Sequence, residues 1–172
     1  MVGMRRRWLP APRTRPDPVP PADAEAAGVL AARLDGAAQA RLGRSLALLA
    51  VSTGGCGACE LELRMLDGVA YGLARLGLRF VGVPGQADVL LATGPLTRNM
   101  HGALLRTWEA MPGPRWLVAV GGCAIDGGVF AGSYATLGGI GAALPPDLVV
   151  PGCPPTPAAV LAGLHTLIAA NT

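Results

Sequence analysis

Ser52-Thr53-Gly54-Gly55-Cys56-Gly57-Ala58-Cys59-Glu60-Leu61-Glu62-Leu63 follows the apolar run Leu46 to Val51 and leads into apolar positions at helical spacing as far as Leu76. A short apolar run bounded by glycines reads as a buried strand, and a period near 3.6 reads as a helix. The order is therefore strand, glycine-rich loop, helix. Two thiols two residues apart at such a turn can face one metal centre as thiolates. The glycines let the backbone turn and come close to that centre without a clashing Cβ.

Taken alone, this CxxC is open to zinc, an iron–sulfur cluster or a redox dithiol. The chain has four cysteines, so only Cys123 and Cys153 remain to narrow the choice. Cys123 lies in Gly121-Gly122-Cys123-Ala124-Ile125-Asp126 after the apolar run Trp116 to Val120, and Cys153 lies in Pro151-Gly152-Cys153-Pro154-Pro155 after Leu148 to Val150. Each cysteine loop follows a strand and has a glycine beside the thiol. In a parallel sheet such loops share the carboxyl edge, where α/β proteins hold ligands. Four thiols at one edge make Cys56, Cys59, Cys123 and Cys153 the candidate ligands of a single [4Fe–4S] cluster. Cluster sulfurs accept from backbone N–H groups and favour a dry shell. The glycines at 54, 55, 57, 121, 122 and 152 can bring such amides close, with Gly55, Gly57, Gly122 and Gly152 beside the thiols. Zinc held by all four cysteines is the rival, although structural zinc is usually held by paired CxxC knuckles. A thioredoxin-like dithiol would leave Cys123 and Cys153 without a role.

Further strands are expected at Leu78–Val83 and Asp88–Thr93. A helix is expected from Thr97 or Asn99 to Met111, where Pro112-Gly113-Pro114 stops it, and a last one from Pro157 at its first position to about Ala170. Strands alternating with helices imply right-handed crossovers and a mostly parallel sheet, an α/β chain of flavodoxin-like architecture. Residues 45–172 would form this domain. Asp23 can cap a preceding helix within residues 22–44, with Val29, Leu30, Leu34, Ala38 and Leu42 on one face. Residues 1–21, with six prolines and five arginines, read as a flexible arm suited to a partner or an anionic surface.

The 172 residues are 51% apolar and only 15% charged, which suits a subunit covered by partners better than a free monomer. Five of the 14 basic residues precede residue 16, so the net charge of +3 hides a body with nine basic and eleven acidic residues. With only seven aromatics besides, nucleic-acid binding is not expected. The apolar runs are too short to span a bilayer. Arg5-Arg6-Arg7-Trp8 resembles the start of a twin-arginine leader, but Leu9 to Pro21 lacks its apolar region, so a reducing cytoplasmic setting is expected. Of the two histidines, His165 in the apolar last helix is expected to be structural, and His101 to be a solvated residue of a helix start.

The cysteine loops, Ala87-Asp88-Val89-Leu90-Leu91-Ala92-Thr93-Gly94-Pro95-Leu96-Thr97-Arg98-Asn99-Met100, Met111-Pro112-Gly113-Pro114-Arg115-Trp116 and Gly152-Cys153-Pro154-Pro155-Thr156-Pro157 together resemble a known family. It is the family of [NiFe]-hydrogenase small subunits and the 20 kDa component of complex I, and the resemblance spans about residues 45 to 165. Complex I members usually carry two adjacent cysteines in the first loop, whereas CxxC followed by Glu60 resembles the energy-converting (group 4, formate hydrogenlyase-type) hydrogenases. The resemblance implies an electron-transfer subunit, not catalytic alone, with one [4Fe–4S] cluster. It implies as partners a hydrogenase or complex I-type large subunit, a ferredoxin-like subunit with two [4Fe–4S] clusters, and membrane subunits. It also implies a peripheral place on the cytoplasmic face of the cell membrane. Electron transfer to quinone in a complex I-type assembly and a zinc-stabilised scaffold are the alternatives. In the hydrogenase branch the residue at Glu60 lies towards the large subunit's active site, implying a proton relay or redox tuning. Glu62 reads as a charge matched to the helix dipole.

Overall fold

Val89-Leu90-Leu91-Ala92-Thr93 and Trp116-Leu117-Val118-Ala119-Val120 are buried at every position. Strands covered by helices on both faces have no solvent side, so their apolar residues run on instead of alternating. In the computed structural model, residues 43–68, 71, 73 and 78–170 are described, together with helical positions Val29, Ala32, Arg33, Gly36 and Ala40. The arm expected at residues 1–21 and most of the helix expected at 22–44 lie outside the described residues. Of that helix's apolar stripe only Val29 is described, and it is half exposed.

The elements are β1 (Ala47–Ser52), α1 (Ala58–Asp67), β2 (Arg79–Phe80), β3 (Val89–Thr93), α2 (Arg98–Glu109), β4 (Trp116–Val120), α3 (Gly122–Asp126), β5 (Leu148–Val150) and α4 (Pro157–Ala170). Among the described residues the five strands form one sheet in the order β2-β1-β3-β4-β5, with each neighbouring pair parallel. This is the flavodoxin-like order, and its switch point lies between β1 and β3. One face packs Leu48, Leu91 and Val118 against Leu63 and Leu66 of α1 and Val160, Leu161 and Leu164 of α4. The other packs Leu49, Leu90 and Leu117 against Leu104 of α2, Ala124 of α3 and Ile140.

Three boundaries differ from the sequence reading. The helix expected from Leu61 to Leu76 starts at Ala58 and stops at Asp67. Gly57, with φ +84°, turns the chain into the helix ahead of the first apolar residue, and extended Gly68 ends it. The strand expected at Leu78–Val83 is reduced to Arg79–Phe80 because Pro84 opens a short 3-10 turn through Gln86. Since β2 pairs only with Ala47 and Leu48 at the start of β1, residues 81–88 suffice to return the chain to β3 without a crossover helix. Thirdly, the loop expected around Cys123 is the short helix α3.

At the opposite, amino edge of the sheet, Asp88 is 1% exposed. It accepts from both terminal nitrogens of Arg44 at 2.5 and 2.8 Å and from the Ala47 amide at 2.9 Å. A buried carboxylate needs such partners, and here they fasten the segment before β1 to the sheet.

Candidate metal centre

Each cysteine follows its strand to the carboxyl edge. Cys56 lies in the loop after β1 and Cys59 in the first turn of α1, Cys123 in the first turn of α3 after β4, and Cys153 after β5. All four are free thiols. They line one cavity, which the four expected glycines Gly55, Gly57, Gly122 and Gly152 also line. Sequence separations of up to 97 residues thus close to a single site because β1, β4 and β5 run parallel and end at the same edge.

Two glycines beside the thiols are needed for want of room. A Cβ on Gly121 would stand 2.6 Å from Cys59 Sγ, and one on Gly128 would stand 2.7 Å from Cys123 Sγ. The amide roles expected of the glycines divide. Gly122 N–H donates to Gly152 O at 2.8 Å and Gly121 N–H to Val150 O at 2.8 Å, so both extend the β4–β5 pairing and are not free for a cofactor. Among the described residues the amides of Gly55, Gly57 and Gly152 have no protein acceptor, which leaves them available at the cavity.

Electrostatics favour a cation here. Burial pushes the Cys59 thiol up to about 11, and the negative charges of Glu60, Cys123, Cys56 and Cys153 add to the shift. Thiolates this close repel one another until positive charge is bound among them, and metal binding then displaces their protons. The soft all-thiol donor set suits zinc or iron–sulfur chemistry. Among the described residues no group of three or more His, Cys, Asp or Glu side chains converges to hold a single metal ion. A cube gives each thiolate its own iron, so its ligands surround a cavity without meeting at one point.

Glu60 is tied down. Its Oε1 accepts from Ser52 Oγ at 2.5 Å and Thr93 Oγ1 at 2.8 Å. Burial pushes the carboxyl up, but the hydrogen bonds from Ser52, its own amide and Thr93, with the nearby Arg64 charge, outweigh it and hold Glu60 below the usual glutamate value. Glu60 also lines a neighbouring groove of about 330 Å³ with Ser52, Leu63, Arg64 and Phe80. Neither His101 nor His165 lines the cysteine cavity. Sequence reading missed Gly94, which lines the cavity from the loop after β3. A glycine directly after a buried strand and before Pro95 was the available signal. The Cys153–Pro154 peptide is cis, as is Gly113–Pro114.

Comparison with known proteins bears on the family and the fold. A family model described as NADH ubiquinone oxidoreductase, 20 Kd subunit, matches residues 56–167. Formate hydrogenlyase subunit 7 of Escherichia coli (strain K12) is 39% identical over 123 residues, which is 72% of this chain and 48% of that protein. The chain thus spans about half the length of this relative. A chain in the structure of the membrane-bound sulfane sulfur reductase, an archaeal respiratory membrane complex, superimposes with a TM-score of 0.65 at 28% identity. That match covers 80% of this chain and 74% of the other.

Proposed function

Because the chain belongs to the family described as NADH ubiquinone oxidoreductase, 20 Kd subunit, we propose that it is the electron-transfer subunit of a membrane-bound, [NiFe]-hydrogenase-like respiratory complex. In this reading it holds one [4Fe–4S] cluster through Cys56, Cys59, Cys123 and Cys153. It would pass single electrons between a ferredoxin-like subunit and a large catalytic subunit. The observation that carries the reading is the meeting of all four thiols at one cavity. The likeness to formate hydrogenlyase subunit 7 supports the hydrogenase-like assignment over a quinone-reducing one. No helix among the described residues is long and apolar enough to cross a membrane. In this reading attachment would be peripheral, through membrane subunits on the cytoplasmic face.

When bound, the cluster supplies one-electron chemistry, and the chain supplies placement and surroundings. The four cysteines would anchor it, and the amides of Gly55, Gly57 and Gly152, which have no protein acceptor among the described residues, would be free to donate to its sulfurs. The positive end of α1 favours its negative charge. The relay role expected of Glu60 requires protonation, which two hydroxyl donors oppose. Glu60 serves in this reading as a fixed negative charge tying α1 to the ends of β1 and β3. Glu60→Gln is therefore expected to leave iron content unchanged and raise the cluster's midpoint potential by roughly tens of millivolts, equivalent to about 1 kcal/mol on a one-electron couple. Redox titration of both proteins checks this, and coincident midpoints would remove the tuning role.

Anaerobic purification of the full chain with its partner subunits tests the proposal itself. The expected protein is brown, carries one cube's worth of iron and acid-labile sulfide per chain, and gains a paramagnetic signal on reduction. Colourless protein with stoichiometric zinc would instead establish a structural scaffold.

A further inference from the structure

We propose that Thr53 is a positioning residue for the cysteine cavity, its buried hydroxyl clamping the thiol-free loop after β3 onto the loop that carries Cys56 and leads to Cys59. The consequence drawn for the cluster rests on the reading above, whereas the clamp itself does not.

The parallel pairing of β1 with β3 ends at Ser52 and Thr93. One last backbone bond follows, from Thr53 N–H to Thr93 O at 2.9 Å. Past that point the Thr53 side chain takes over. It is fully buried, and its Oγ1 lies 2.9 Å from Thr93 O, 3.1 Å from Gly94 O and 3.0 Å from Pro95 O. A hydroxyl has one proton, so three carbonyls share one donor. Thr93 O already accepts from the Thr53 amide. Among the described residues Gly94 O and Pro95 O accept from no other group, so the turn after β3 depends on this hydroxyl for its inward-facing carbonyls. In return, Thr53 O accepts from the Thr97 amide at 3.1 Å and from Thr97 Oγ1 at 2.7 Å. Thr97 thus uses its hydroxyl across the loops, and makes no side-chain cap for α2.

Both ends of the 94–97 loop are therefore bonded to one residue three positions before Cys56. The two loops touch through backbone: a Cβ on Gly94 would fall 1.6 Å from Gly54 O. Gly54, Gly55, Cys56 and Gly94 all line the cysteine cavity. Movement of the 94–95 turn must then move the Gly54–Cys56 backbone, which lines the cavity and whose amides have no protein acceptor among the described residues. Weaker donation from these amides to cluster sulfur leaves negative charge less stabilised, which lowers a reduction potential.

Thr53→Val keeps the side-chain shape and removes the hydroxyl, while Thr53→Ser keeps the hydroxyl and removes the methyl. Thr166→Val, which removes a hydroxyl donating within α4 to Ala162 O, serves as the control. In the full chain free of metal, exchange of the bonded amides of Leu96 and Thr97, which donate to Gly138 O and Thr53 O, is expected to be about tenfold faster in Thr53→Val and near wild type in Thr53→Ser. In the complex prepared anaerobically, Thr53→Val is expected to lower the midpoint potential and broaden the reduced paramagnetic signal, with Thr53→Ser restoring both. Unchanged exchange in Thr53→Val would overturn the clamp, as would equal acceleration in the Val and Ser variants. Faster exchange with an unchanged potential would overturn its link to the cluster. A wild-type complex without iron would overturn the cluster reading and leave the exchange result to decide the clamp.

Discussion

Replacing any one of Cys56, Cys59, Cys123 or Cys153 by alanine is expected to reduce iron per chain to background and abolish the reduced-state paramagnetic signal. In the proposed reading each thiolate would hold a different iron of a cube, so losing one would open a corner to water and to oxidation. The fold itself should survive. Cys56 and Cys153 are exposed, and Cys59 and Cys123 are half-buried, so no large core cavity is created. Far-ultraviolet circular dichroism and solubility are therefore expected to stay near wild type while colour and iron disappear together. Iron analysis and paramagnetic resonance on the four single variants check this. A variant that kept full iron content and an unaltered signal would exclude that cysteine as a ligand.

The second large effect belongs to a residue with no side chain. Gly94 has φ +75°, and a Cβ there would stand 1.6 Å from Gly54 O and 2.6 Å from Gly54 C. Both contacts are with backbone, which cannot swing aside as a flexible side chain would. Gly94→Ala is expected to cost about 3 kcal/mol or more, combining the left-handed conformation with overpacking. Gly132 is the control. Its φ is +78° with nothing within 4 Å of the added Cβ, so Gly132→Ala should carry only the conformational cost of about 1 kcal/mol. Urea midpoints of the metal-free chains, converted through the slope, give both values. Gly94→Ala should also lose iron, because the loop carrying Cys56 must retreat. Equal losses in the two variants would mean that the close approach of the two loops does not matter to stability.

The strand–loop–helix order, the flavodoxin-like architecture and the four thiols at one edge were all legible in the chain. Each is written locally: a buried strand as an unbroken apolar run, a turn as glycine, a helix as a 3.6-residue period. Once the strands are parallel, every loop that follows one is delivered to the same edge, so Cys123 and Cys153 could be brought to Cys56 and Cys59 without coordinates. Residues acting across the sheet could not be found this way. Gly94 and Thr53 look like an ordinary turn glycine and an ordinary threonine, and their roles exist only because β1 and β3 are neighbours with Ser52 opposite Thr93. The same holds for Asp88, a lone acid before a strand until Arg44 and the Ala47 amide close on it. Glu60 shows the limit most clearly. Its place beside Cys59 and its bond from Ser52 are local, whereas the bond from Thr93 comes from 33 residues away. Which hydroxyl, carbonyl or sulfur comes within bonding distance is a matter of long-range register, and no local stretch of sequence contains it.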